Sequence, residues 1–280
     1  METYYILYNP IAKNGEASLI LSEISESNAK HIDITTLDDY KTFIESLDET
    51  DKIVVCGGDG TLNIFINKTQ DINYNNDVYY YPAGTGNDFY HDVTEATSGD
   101  KILVNKYIKN LPSIKVKGKT YKFLNGVGYG IDGYCCEVGD KLRAQNKKKI
   151  NYTMIAIKGL LFHYKTTNAK VIVDDIEHDF SNVWLAPVMN GKYYGGGMIP
   201  TPGQKRNTDE LSVLIFQGKS KLKTLMIFPS IFKGEHVKKE KQVHILSGKK
   251  FKVIFDEPRP LQIDGETILD VSEYEAWVNE

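Results

Sequence analysis

The stretch IVVCGGDGTLNIF, residues Ile53 to Phe65, decides how the first half of the chain is read. Ile53 to Cys56 is a short apolar run suited to a buried strand, and Leu62, Phe65 and Ile66 then recur at i, i+3, i+4, one face of a helix. A strand that turns into a helix through Gly57, Gly58, Asp59 and Gly60 lets main-chain N–H groups face outward beside a helix N-terminus, which is where phosphate oxygens bind. Asp59 alone would repel a bare phosphate. Beside Mg²⁺ it becomes useful, because magnesium takes oxygen ligands from one or two carboxylates plus phosphates. A hairpin turn on Asp59-Gly60 competes, and although the helical spacing after it argues for a helix, a phosphate site and a purely structural turn both stay open here.

Outward from this stretch the first half alternates between strand-like and helix-like periods. Tyr4 to Tyr8 is strand-like, Ala17, Ile20, Leu21 and Ile24 fall at helical spacing, His31 to Thr35 alternates, and Tyr40, Phe43, Ile44 and Leu47 repeat the helical pattern. Val78 to Tyr81 is a further strand, followed by PAGTGND, which carries Thr85, Asn87 and Asp88. Short connections between alternating strands and helices predict right-handed βαβ units and a doubly wound, mostly parallel α/β sheet. Ligands of such sheets lie beyond the carboxyl ends of the strands. NPIAKNG (Asn9 to Gly15), Thr35 and Thr36, GGDGT and PAGTGND all fall at that edge, with Asp88 a second acid suited to magnesium.

From IKVKGKTYKFL onward the pattern becomes one of short strands with turn signals: AKVIV, VWLAPVM, LSVLIF, QVHIL, FKVIF and TILDV. This predicts an antiparallel β-sandwich or barrel, interrupted by two helix-like stretches, INYTMIAIKGLLFHY and KLKTLMIFPSIF. A boundary near residue 120 fits, giving an α/β domain over 1–120 and a β-sandwich domain over 121–280. GVGYG (Gly126 to Gly130) imitates a dinucleotide fingerprint but lacks the βαβ frame, and no GxxxxGK[ST] or HExxH is present. LQIDGETI places Asp264 and Glu266 two apart, on one face if the segment is extended, while Asp264-Gly265 between apolar residues is equally a hairpin signal. The loop MIPTPGQKRNTDE ends near Asp209, either a metal loop or a turn.

With 41% hydrophobic and 25% charged residues among 280, and no run of eighteen apolar residues, the composition is that of a soluble globular chain. The N-terminus lacks a basic segment and a cleavage site, and three cysteines form no disulfide framework or CxxC, so a cytoplasmic location is expected. A net charge of −3, with lysine dominating the 34 basic residues, speaks against nucleic acid as a partner. The two helix-like stretches of the second half combine apolar residues with lysines, which suits either peripheral contact with an anionic membrane surface or core helices with solvated lysines. An edge strand of the sandwich could pair a homodimer.

NPIAKNG, GGDGTLN, PAGTGNDF, GVGYGIDG, GGGMIPTP and QIDGE occur in one order across almost the whole chain, and together they resemble the diacylglycerol kinase-type lipid kinases, particularly the small bacterial ones. The resemblance implies an N-terminal nucleotide domain like that of NAD kinases and 6-phosphofructokinases, a C-terminal β-sandwich with the active site in the cleft between, and a last segment able to return to the first domain. It implies ATP and Mg²⁺ as co-substrate and metal, and a lipid hydroxyl as acceptor, diacylglycerol-like above all. By motif, Asn9 and Lys13 would lie near phosphates, Thr35 at the nucleotide edge, and Gly57, Gly58, Asp59, Gly60, Thr61, Leu62 and Asn63 under the phosphates. Thr85 and Asn87 would contact nucleotide, and Asp59 and Asp88 would hold the catalytic magnesium. Glu266, with Asp264 beside it, resembles the proton acceptor for the lipid hydroxyl. A structural Mg²⁺ of bacterial members would fall on the Asp209 side chain and the carbonyls of Arg206 and Leu211. Two positions depart from the pattern: the first motif is usually NPxSG, and the metal loop usually ends in DG where Glu210 stands here. An NAD kinase-type enzyme would share GGDGT, and a nucleotide- or lipid-sensing regulator would keep the cleft without turnover.

Overall fold

The computed structural model describes residues 2–10, 28–94, 100–145, 147 and 150–279, the side chain of Thr153 excepted. Two compact units result, Met1–Asn110 and Leu111–Glu280. The division lies ten residues before the expected boundary near 120, because β6 (Ser113–Val116) and β7 (Lys119–Lys122) already belong to the second sheet, β6 pairing with the C-terminal strand.

The first unit holds a five-stranded sheet in the order β2-β1-β3-β4-β5: β1 is Tyr4–Tyr8, β2 Ala29–Asp33, β3 Lys52–Gly57, β4 Asp77–Pro82 and β5 Ile102–Leu103. The first four are parallel and β5 runs antiparallel to β4. Ile6, Leu7, Ile53, Val54 and Val55 are wholly buried, as a parallel sheet covered on both faces requires. β2 ends two residues before the expected Thr35. Asp33 Oδ1 accepts from the Thr35 amide at 2.8 Å and its hydroxyl at 2.7 Å, an Asx turn that competes with continued pairing. Helix α1 (Tyr40–Glu45) is capped by Asp39, whose Oδ1 accepts from Thr42 N at 2.9 Å. Helices α2 (Asp59–Thr69), α3 (Asp88–Val93) and α4 (Asn105–Ile108) follow β3, β4 and β5. Leu62, Phe65 and Ile66 of α2 are buried, so the helical spacing read after the glycines marks a core face. The helix expected around Ala17 to Ile24 lies outside the described residues, as does Lys13.

The second unit is built on a ten-stranded antiparallel sheet that folds over on itself, since β9 (Thr167–Val173) pairs with both β10 (Ile176–Leu185) and β14 (Lys250–Ile263). Between them the path runs β14, β8 (Gly126–Tyr129), β11 (Val188–Met189), β12 (Leu211–Gln217), β10, with β13 (Val243–Gly248) on β12. β15 (Glu266–Trp277) pairs with β14 and β6 and belongs to this unit. Along β12 the alternation of side chains serves two cores. Leu211, Val213 and Ile215 join the core inside the sheet with Val127, Tyr129, Phe251 and Phe255. Leu214 and Phe216 join a second core beneath three helices: α5 (Ile131–Ala144), α6 (Tyr152–Lys158) with a π turn at Gly159–His163, and α7 (Lys221–Ile227) with a 3₁₀ turn at Phe228–Lys233. Helix α5 has no counterpart among the expected elements. It follows β8 through Gly130 at φ 112°, so GVGYG does enter a helix, but from an antiparallel strand and not in a βαβ unit.

Candidate active site

In the first unit the strand order reverses between β1 and β3, the switch point where open α/β sheets bind ligands. Both neighbouring carboxyl ends carry the motifs. Asn9 N donates to Cys56 O at 3.2 Å and Asn9 Nδ2 to Thr61 Oγ1 at 3.3 Å, which ties the end of β1 to the start of α2. Gly57 closes β3, and a Cβ there would lie 2.4–2.7 Å from the Thr61 side chain. Gly58 is matched by Gly84 after β4: a Cβ on Gly84 would sit 2.5 Å from Gly58 Cα and 2.7 Å from Asn87 Oδ1. The two loops therefore touch backbone to backbone, which only glycine permits.

Asn87, at φ 49°, turns the second loop into α3; its Oδ1 accepts from Gly84 N at 2.9 Å and its Nδ2 donates to Gly84 O at 3.1 Å. Asp59 stands between the loops. Its Oδ2 accepts from Asp88 N at 2.8 Å and its Oδ1 from Phe89 N at 3.0 Å, so the first acid of α2 caps the start of α3. Asp88 is 5% exposed at that start. Asp59 and Asp88, two acids that meet at the loop junction, have the oxygen chemistry of the one or two carboxylates with which magnesium sits beside phosphates. Burial first, then the charges of Asp59, Cys56 and Asp88, hold the Tyr80 phenol well above its ordinary pKa, so it stays protonated beneath the loops. Asn63 is buried on α2 and bonded to Asn67 Nδ2, whereas Thr85 is exposed at the loop tip and Thr35 is engaged with Asp33.

In the second unit Asp264 and Gly265, at φ 47° and 99°, form the two-residue turn between β14 and β15. Asp264 and Glu266 thus do not lie on one face of an extended strand. The Asp264 carboxylate accepts three backbone amides, Leu124 N, Asn125 N at 2.7 Å and Gly126 N at 3.1 Å, which fasten the turn to the entry of β8. Glu266 opens β15 and is exposed. Even so, surrounding protein raises its pKa above the usual carboxylate value through desolvation, aided by the charge of Asp140 and opposed by Arg143.

Helix α5 supplies residues that the strand-by-strand reading missed. Asp132, Cys136 and Asp140 recur at i, i+4, i+8 in IDGYCCEVGDKLRA, the spacing that would have revealed the helix. Asp132 accepts from Gly133 N at 3.0 Å and from Tyr194 Oη at 3.2 Å, and burial pushes its pKa up to about 6. Asp140 Oδ2 accepts from Thr267 Oγ1 at 2.7 Å and its Oδ1 from Arg143 Nη1 at 2.8 Å.

The loop expected to hold a structural metal is tied together by its own side chains. Asp209 is exposed, and Arg206 directs its guanidinium to Leu124 O and Asn125 Oδ1. The loop carbonyls of Lys205 and Glu210 both accept from Gln204 Nε2 at 3.0 Å and from Thr208 Oγ1 at 3.0 and 3.1 Å, while Leu211 opens β12 opposite Gly248. Among the described residues no group of three or more His, Cys, Asp or Glu is placed to hold a metal.

A glycine-backed helix N-terminus at the switch point of a parallel sheet, followed by a β-rich unit with a carboxylate on its hairpin, is the arrangement that the resemblance to lipid kinases implies. Comparison with known proteins agrees. Residues 3–115 match the model of the diacylglycerol kinase catalytic domain, and residues 125–275 match the YegS C-terminal NAD kinase beta sandwich-like domain. The chain belongs to the diacylglycerol kinase-like lipid kinase family of the small bacterial type. It is 26% identical over 195 residues to a "Diacylglycerol kinase" of Mycobacterium tuberculosis, a match spanning 67% of this chain and 62% of that protein. It is 23% identical over 261 residues to the "Putative lipid kinase YtlR" of Bacillus subtilis, 83% of this chain and 77% of that one. The fold is shared with the crystal structure of a "putative diacylglycerol kinase" from Bacillus anthracis str. Sterne, with a TM-score of 0.69 at 19% identity, covering 99% of this chain and 92% of the other.

Proposed function

We propose that the protein transfers the γ-phosphoryl group of ATP to a lipid hydroxyl, with a diacylglycerol-like acceptor, using Mg²⁺. The observation that supports this most is the junction of Gly57–Asp59 with Gly84–Asp88, where two loops meet without side chains beside the N-terminus of α2. The backbone N–H groups there and the helix dipole receive phosphate oxygens. Asp59 and Asp88 would hold the magnesium, which when bound would supply positive charge to offset that developing on the phosphates. In the second unit Glu266 accepts the proton of the acceptor hydroxyl as its oxygen bonds to phosphorus, and ADP departs with the electrons of the broken bond. The raised pKa of Glu266 makes it a better base than an ordinary glutamate.

A membrane-borne acceptor asks for a surface that meets lipid. Around the contact of α6, the π turn and α7, Met154, Phe162, Leu222, Met226 and Phe232 are exposed, Phe162 by 73%. Lys158, Lys219, Lys221, Lys223 and Lys233 are exposed on the same elements and their flanks, and Lys221 Nζ donates to Leu161 O at 2.9 Å, joining α7 to the π turn. Apolar tips among lysines suit shallow insertion into an anionic leaflet. No described helix is long and apolar enough to cross a membrane. This surface favours a lipid acceptor over NAD.

The test is transfer from labelled ATP, with Mg²⁺, to diacylglycerol, sphingosine, ceramide, undecaprenol and NAD in parallel, using the wild type and Glu266→Gln. Transfer to a lipid, reduced about 10²- to 10⁴-fold by Glu266→Gln with ATP binding retained, is expected. Transfer to NAD alone would overturn the acceptor, and an undiminished folded variant would overturn the base. Leu222→Glu with Met226→Glu should abolish sedimentation with phosphatidylglycerol vesicles at low salt.

A further inference from the structure

We propose that Asp140 is the positioning residue for Glu266, holding the first turn of the β14–β15 hairpin against α5 through Thr267 and held in turn by Arg143. The inference rests on the assignment of Glu266 as base. The hairpin tip is fastened on two sides. On one, Asp264 accepts the amides of Leu124, Asn125 and Gly126. On the other, Thr267 Oγ1 donates to Asp140 Oδ2 at 2.7 Å. Glu266 lies between the two fastenings, so both must hold if its carboxylate is to keep one direction.

Asp140 is itself oriented. Arg143 Nη1 donates to its Oδ1 at 2.8 Å, and Arg143 Nη2 donates to Tyr152 Oη at 2.7 Å, linking α5 to α6. Gly139 makes this possible, since a Cβ there would lie 2.7 Å from that same Tyr152 oxygen. A continuous chain of hydrogen bonds therefore runs from α6 through Arg143 and Asp140 to the residue next to Glu266. The charged groups that face Glu266 are Asp140 and Arg143 of α5, with the Cys136 thiol on the same helix face. Desolvation and the Asp140 charge favour the protonated carboxyl, while Arg143 opposes them. Asp140 thus does two separable things: it bonds Thr267, and it places a negative charge beside the base.

Two substitutions separate them. Asp140→Asn keeps an acceptor for Thr267 but removes the charge; Thr267→Val removes the bond but keeps the charge. Without the Asp140 charge Glu266 ionises more easily, so the acid limb of kcat/KM against pH moves to lower pH in Asp140→Asn. The ¹³C carboxyl titration of Glu266 moves the same way without reference to turnover. In Thr267→Val the limb stays in place and kcat falls about 10- to 100-fold with the KM for ATP unchanged, the loss expected when a reacting group is misplaced by about an ångström. An acid limb and a ¹³C titration both unmoved in Asp140→Asn, or full kcat in folded Thr267→Val, would overturn the inference. Glu266→Gln is the control for the reading beneath it: full turnover there removes the base itself, whereas lost turnover there with unmoved Asp140→Asn and Thr267→Val profiles removes only the role of Asp140.

Discussion

Asp59→Ala should cost the protein stability and phosphate transfer by separable routes. The Asp59 oxygens accept the amides of Asp88 and Phe89 at 2.8 and 3.0 Å, and these two residues are 5% and 0% exposed. Alanine leaves both N–H groups at the buried start of α3 without their acceptor. Losing a helix cap costs about 0.5–2 kcal/mol. Hydrogen bonds to a charged acceptor contribute about 1.5–3 kcal/mol each, though the start of α3 can loosen toward water and recover part of this. A net loss of about 2–4 kcal/mol follows, which at a urea dependence of about 2 kcal/mol per molar, the middle of the usual range, moves the unfolding midpoint of the first unit by about 1–2 M. Asp59→Asn keeps one oxygen and should lose about half as much. The assay is urea unfolding followed by far-ultraviolet circular dichroism, with transfer from labelled ATP measured in parallel where each variant is fully folded. An unchanged midpoint in Asp59→Ala would refute the capping role. A lowered midpoint with full turnover in the folded variant would refute the role at magnesium and phosphate.

Burial raises the Asp132 carboxyl from 3.8 to about 6, so the folded state holds its proton where the unfolded chain has lost it. Stability from this group therefore falls as pH rises from about 4 to about 6 and stays lowered above; at about 1.4 kcal/mol per pH unit the cost is at most about 3 kcal/mol. Asp132→Asn should consequently raise the urea midpoint at pH 8 more than at pH 4, and equal effects at both would refute the assignment. Gln204→Ala, which removes the donor to Lys205 O and Glu210 O and the acceptor for Ser212 Oγ, should destabilise by about 1–3 kcal/mol in urea unfolding. EDTA should leave the wild-type midpoint of the second unit unchanged, since among the described residues no group of three or more His, Cys, Asp or Glu is placed to hold a metal, and a fall on chelation would instead place a structural metal in that unit.

Periodicity made the first unit legible. The apolar run Ile53 to Cys56 and the spacing of Leu62, Phe65 and Ile66 are local signals of burial on two faces and on one, and both elements formed where the spacing places them. Asp33 ended β2 early because a side chain bonding its neighbour's backbone leaves little trace in hydrophobic spacing. Helix α5 escaped for a related reason: Gly133 and Gly139 interrupt its pattern, yet a Cβ at Gly133 would lie 2.0 Å from Pro260 O, so these glycines mark close packing and not a turn. The site residues divide in the same way. Gly57 to Asp59 could be read from one stretch, but the bond from Asp59 to residues 88 and 89 joins positions thirty apart, and that from Thr267 to Asp140 spans 127. Such pairs are set by packing and carry no spacing of their own. Asp264 shows the opposite case, in which two local patterns fit one dipeptide and only the backbone angles decide between them.

Strand β12 poses a problem of phase. With apolar side chains on both faces from Leu211 to Phe216, sliding the strand by one residue would exchange its two cores at little cost in hydrophobicity. Ser212 is the exception: it is buried, faces Ser247 across the ladder, and its hydroxyl lies 2.9 Å from that of Ser247 and 2.7 Å from Gln204 Oε1. Any other alignment would strand this hydroxyl among hydrocarbon. One small polar side chain thus acts as the key that admits a single pairing of an otherwise ambiguous strand.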